Sequence, residues 1–253
     1  MKNRMPIFLT WVMVGSAVFS AGAQPGSLHN GQLIDLPVAK LLSPGEATTE
    51  LRLFSNGGLS AGVSIGLSER FGLGVGYGGE NVIGTGKAVL FPQPSVHVEY
   101  LLFDERFLSP SVLLGFNSQG SGRWDKTLKR FAVKSRGTYA VASKNTSFLG
   151  GIGLHAGINW SLEDEDGDKD PNAFFGFHKW IHPGLVLLGE YDTAINDNSD
   201  NAIGSGKGYF NAGIRISILN RFWFELDWKN ILKNGTHVAG SSREVKFLYF
   251  LSL

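Results

Sequence analysis

Apolar and polar residues alternate through most of the chain. Leu59, Ala61, Val63, Ile65 and Leu67 are separated by Ser60, Gly62, Ser64 and Gly66. Phe71, Leu73, Val75 and Tyr77 are separated by Gly72, Gly74 and Gly76, and Val96, Val98 and Tyr100 by His97 and Glu99. Ile152, Leu154, Ala156, Ile158 and Trp160 share one face. Phe210, Ala212, Ile214, Ile216 and Ile218 oppose Asn211, Gly213, Arg215 and Ser217, and Phe222, Phe224, Leu226 and Trp228 oppose Trp223, Glu225 and Asp227. Successive side chains of a strand point to opposite faces, so each run predicts a strand with one greasy and one polar face. A helical period is faint and confined to Leu36–Leu42.

The pattern places twelve strands near residues 46–55, 59–68, 71–79, 94–103, 107–117, 130–142, 147–160, 173–181, 185–194, 208–218, 221–229 and 243–253. About ten residues of tilted strand cross a bilayer, and these runs approach that length. The strand at 130–142 rests on parity. With it, the short connections fall on one side and the long polar ones on the other, the tight turn at Asn56-Gly57-Gly58 being the exception. The fold expected over 46–253 is all-β: a transmembrane antiparallel up-and-down barrel with short periplasmic turns and longer outer loops. Residues 24–45 carry Pro25, Pro37 and Pro44-Gly45 and read as an extended periplasmic lead-in or a plug.

Composition sharpens this picture. Charged residues make up 18% of the 253 positions and aromatics 12%, so much apolar surface needs a partner, and lipid is the first candidate. Zero cysteines excludes disulfides, thiolate metal sites and Cys nucleophiles. At the N-terminus Lys2 and Arg4 precede an apolar stretch from Met5 to Val18 and the small residues Ala21-Gly22-Ala23. That is a secretory signal over 1–23, cleaved before Gln24. Its removal leaves 21 bases against 22 acids, too balanced for a nucleic-acid binder.

The polar register holds the candidate site. Inward positions carry Glu50, Arg52, His97, Glu99, Lys134, Arg136, His155, Glu190, Asp192, Arg215, Glu225, Asp227, Lys229, Glu244 and Lys246. A charge at the lipid midplane costs about 2–4 kcal/mol, which explains its segregation to this face. Mixed signs on neighbouring strands suit a salt-bridged closed core; opposed walls suit a narrow selective pore. Asp164, Asp166, Asp168 and Asp170 alternate around Gly167 and form a weak calcium candidate, without the spacing of an EF-hand. No other metal or cofactor is implied. His155 and His97 are the candidates for lipid-modifying catalysis, and neither has a serine beside it in a matching sequence pattern. Val245, Phe247, Tyr249, Leu251 and Leu253 alternate to the C-terminus, the kind of terminal strand that barrel-insertion machinery recognises.

Several stretches resemble the YjbH-like outer-membrane barrel group associated with exopolysaccharide systems. They are SLEDEDGDKDPNAFFGFHKWI at 161–181, LLGEYDTAIND at 187–197, GKGYFNAGIRISI at 206–218 and PQPSVHVEY at 92–100. The resemblance implies an outer-membrane location and a link to surface polysaccharide in a single-barrel member. Three readings follow: a non-enzymatic narrow pore or assembly factor; a closed structural or adhesion barrel acting through the loops at Ser118–Lys129 and Ala194–Lys207; and a lipid-modifying enzyme.

Overall fold

The computed structural model describes residues 28, 31–147, 151–219, 221–235 and 241–253. The expected signal peptide lies outside the described residues. Fifteen strands occur among them: β1 (Glu46–Phe54), β2 (Gly58–Ser68), β3 (Phe71–Glu80), β4 (Val89–Leu90), β5 (Ser95–Phe103), β6 (Ser111–Asn117), β7 (Ser121–Asp125), β8 (Arg130–Val133), β9 (Gly137–Thr146), β10 (Ile152–Trp160), β11 (Asn172–His182), β12 (Leu185–Asp192), β13 (Tyr209–Leu219), β14 (Phe222–Lys229) and β15 (Ser242–Ser252). Leaving aside β4, a short extension on β3, and the separate hairpin β7–β8, twelve strands form a closed antiparallel barrel. Neighbours in the ring follow chain order, and β15 closes it on β1 from Glu46↔Ser252 to Leu53↔Val245.

Burial is inverted relative to a water-soluble domain. On the outer wall Val63, Val75, Leu154, Ile158, Ile214, Ile216 and Leu226 are exposed, while Arg215, Glu225 and Lys246 on the same sheet are 3%, 0% and 1% exposed. Charged groups are seldom fully buried and broad apolar surfaces are seldom left open in a soluble monomer. One rim carries the short turns at 69–70 and 183–184; the other carries the long segments 81–94, 118–136, 161–171 and 193–208, together with 230–235.

Two expectations need correction. The strand at 130–142 is two pieces: Arg130–Val133 belongs to the rim hairpin, and the wall strand is Gly137–Thr146. The break is Gly137, whose φ of 59° leaves the strand region, and both Gly137 and Thr138 pair with Trp160 in a bulge. A bulge adds one residue and switches which parity faces inward. Inward residues accordingly become Tyr139, Val141 and Ser143, all buried. The strand near 107–117 starts later, at Ser111, because Ser109-Pro110 extends the preceding turn.

The lead-in does not stay outside the barrel. Residues 31–42 fold back as a hook: Leu33 N donates to Leu36 O at 2.9 Å, Val38 N to Gly31 O at 2.9 Å, and Gln32 bridges Pro37. Leu33, Ile34, Leu36 and Val38 are buried in one cluster with Leu113, Val141, Phe174, Val186, Leu188, Trp223 and Leu248 from the barrel's inner face. The barrel therefore has an apolar core after all, and the hook supplies its centre. Gly176 makes the fit possible, since a Cβ there would stand 2.2 Å from Leu33 Cδ1.

Candidate functional site

The lumen is organised around the tip of the hook. Its three successive amides, Ile34, Asp35 and Leu36, donate to one oxygen of Glu190 at 3.1, 2.9 and 3.0 Å, while the other oxygen accepts from Asn211 at 2.7 Å. A carboxylate that gathers several backbone donors forms strong, charge-assisted bonds. The tip's carbonyls face cations: Ile34 O accepts from Lys246 at 2.6 Å and Arg52 at 3.2 Å, and Leu33 O from Arg215 at 2.8 Å. The Asp35 carboxylate pairs with Arg52 at 2.8 Å and with Lys229, and accepts from Ser121 of the rim hairpin at 2.7 Å.

Behind this tip lie the remaining wall charges. Glu225 pairs with Arg215 and, at 2.6 Å, with Lys246, which also lies 3.2 Å from Asp227. Arg136 pairs with Asp192, whose other oxygen accepts from Asn172 at 2.7 Å. Glu99 stands apart, accepting from Tyr139 at 3.0 Å. Lys134 and Arg136 both sit in the rim segment before β9 rather than on a wall strand, and Lys134 reaches Asp166 at 2.8 Å. Most of the charged residues picked out by alternation thus either grip the hook or tie down loops, while Glu50, Glu99 and Glu244 do neither.

The loop group centres on Arg130, which sequence reasoning missed. Its guanidinium is fully buried and binds Asp166 at 2.5 Å and Asp197 at 2.7 Å, drawing three long segments together. Asp197 also accepts from the Ile203 and Gly204 amides, and Asp168 from the Asn198 amide. Glu163 caps the same corner; burial pushes its carboxyl up, against the pull of the Phe131 and Ser135 amides. In the run Asp164, Asp166, Asp168 and Asp170, the first three carboxylates have protein partners. Asp166 is spent on Arg130 and Lys134, Asp164 pairs with Lys169 at 3.2 Å, and no group of three metal-ligating side chains exists among the described residues.

His155 is not alone either. Ser143 pairs with it across β9–β10, with Nδ1 2.7 Å from the serine Oγ and Nε2 3.0 Å from His178 Nδ1. This corrects the expectation that no serine stands beside it; cross-strand partners 12 and 23 residues away leave no local sequence signature. The serine oxygen accepts the Ala39 amide of the hook at 2.7 Å, so the hook's return arm covers it. Asp35 was missed because it lies in the proline-punctuated lead-in, although an acid inside the apolar run Leu33-Ile34-Leu36 is an available signal.

Between the hook and the wall from β1 to β6 a lane stays open. Its upper cavity, about 140 Å³, is bounded by Glu50, Arg52, Ser95, His97, Gln119 and Glu244; a lower one of about 50 Å³ is bounded by Lys40, Glu99 and Tyr139. The two share Gln32, Asp35, Ser64, His97 and Asn117 and so adjoin. The glycines of β3 give this lane its width, and Gly74 lets the His97 ring lie against the strand, where a Cβ would stand 1.8 Å away.

No protein-family model matches the chain, and no curated protein matches it in sequence. Solved structures do. The KdgM porin is 11% identical, with a TM-score of 0.52 over 81% of this chain and 98% of that one. The NanC porin is 11% identical with a TM-score of 0.43, covering 81% and 98% respectively. The outer membrane phospholipase A from Escherichia coli is also 11% identical, with a TM-score of 0.40 and 83% and 98% covered. The likeness to the KdgM porin is one of fold.

Proposed function

We propose that this chain is a non-enzymatic β-barrel of the bacterial outer membrane, exported by a cleaved signal, which forms a narrow pore partly stopped by its own hook. The apolar outer belt supports the membrane placement, because water offers no reason to expose it. The observation that carries the pore reading is the polar lane beside the hook, lined by Ser64, Ser95, His97 and Asn117. Cavities of this size hold several waters, so small polar solutes suit the lane and a polymer does not. A role with envelope polysaccharide, suggested by the YjbH-like strands, therefore requires the hook to leave or the barrel to act in assembly.

Planar-bilayer recording tests the reading. The whole chain should show small conductance steps, and deletion of residues 31–42 should enlarge them several-fold. Silence from both proteins would overturn it. The second reading, a closed structural barrel, is favoured by one observation, the buried Arg130 clamp over the mouth. It predicts that silence.

A further inference from the structure

The open lane differs in charge from the rest of the lumen. On the opposite side of the lumen the bases Arg136, Arg215, Lys229 and Lys246 are each tied to a carboxylate. The lane itself is bordered by four acids, Asp35, Glu50, Glu99 and Glu244, and by two bases, Arg52 and Lys40. Arg52 is committed to Asp35, and Lys40 sits exposed at the far end. Glu50 lies 3.4 Å from the Arg52 guanidinium without a hydrogen bond to it. Glu244 is buried; its Oε2 lacks a hydrogen-bond partner and lies 3.6 Å from Arg52. Three carboxylates on the upper cavity, Asp35, Glu50 and Glu244, thus share two bases, Arg52 and Lys229, which leaves one carboxylate in excess, and Glu99 below accepts from a phenol.

We infer that this lane selects small cations over anions, an inference that rests on the pore reading above. The lining suits that cargo in two ways. The acid excess lowers the energy of a cation and raises that of an anion at the same point. Even at the dielectric of water, one uncompensated carboxylate about 8 Å away separates the two by about fivefold, and a low-dielectric wall increases the effect. The hydroxyl and amide oxygens of Ser60, Ser64, Ser95, Asn117 and Gln119 then offer neutral ligands to a partly dehydrated hard cation.

Reversal potentials in a KCl gradient decide the selectivity. The whole chain should favour potassium over chloride by at least about fivefold, and the double variant Glu50→Gln, Glu244→Gln should bring the ratio close to one. Glu99→Gln, which touches neither Arg52 nor the hook tip, is a second variant and should lower the ratio by a smaller factor. A ratio at or below one in the whole chain would overturn the inference while leaving the pore intact. Crystals soaked separately in thallium acetate and sodium bromide give a reading that does not need current. Anomalous density for Tl⁺ beside Glu50 and Glu244, with none for Br⁻, supports cation preference even in a barrel that proves silent, in which case the pore reading alone falls. Bromide in the lane, or an empty lane in both soaks, rejects the preference.

Discussion

At the scale of single residues, Glu190 is the side chain on which the hook's tip depends most. It gathers three successive backbone donors of the turn, two of them fully buried, into charge-assisted bonds. Stranding a buried donor costs about 1–3 kcal/mol, so Glu190→Ala should destabilise the barrel by about 3 kcal/mol or more. Glu190→Gln keeps an acceptor oxygen, and since charged acceptors bind about twice as strongly, it should lose roughly half as much. Guanidinium unfolding followed by tryptophan fluorescence in detergent would measure both; equal losses would mean that charge does not seat the hook. Glu190 itself was legible in the sequence because it stands in the polar register of a long alternation. What it holds was not legible, since backbone amides carry no mark in a sequence and Ile34 lies 156 residues away.

At the scale of elements, wall strands and rim segments obey different rules. A wall strand must hide every charge on one face for its full length, so its period is long and readable. The rim hairpin β7–β8 is held by tertiary contacts instead: Phe131 packs edge-on against Phe91 and Trp124 at 5.0 Å each, and Arg130 anchors it to two other loops. Arg130-Phe131-Ala132-Val133 has no clear alternation and reads as wall only from the parity of the turns, while residues 134–136 and the left-handed Gly137 separate it from the wall strand. Breaking a buried ion pair from one side costs about 3–5 kcal/mol locally. Arg130→Ala should therefore speed protease nicking within 118–136 at least tenfold, because Asp166 and Asp197 lose their shared partner. The unfolding midpoint of the wall should hardly move, since none of its ladders uses Arg130. A matching fall in that midpoint would show that loops and wall unfold as one unit.

At the scale of the whole molecule, the order of closure and plugging follows from which contacts each needs. The hook tip is gripped by Arg52 on β1, Glu190 on β12, Arg215 on β13 and Lys246 on β15, strands brought around one lumen only when the ring is shut. Its stem is fixed at the seam as well, where Leu253 N donates to Gly45 O at 2.7 Å and Pro44 bridges Gly66. Sealing the ring, by contrast, needs the ladder of β1 with β15, whose outward Val245, Phe247, Tyr249 and Leu251 also form the strand proposed to engage insertion machinery. The hook is thus a late passenger and β15 a prerequisite. A chain lacking residues 31–42 should still acquire the compact, boil-sensitive gel mobility of a closed barrel, with a lower unfolding midpoint because its apolar cluster and Glu190 lose their partners. A chain lacking 245–253 should never acquire it, since β1 and β14 are left as open edges that lipid cannot satisfy. If the hook-deleted chain also failed to shift, the hook would be part of the folding core, and the order of closure before plugging would be wrong.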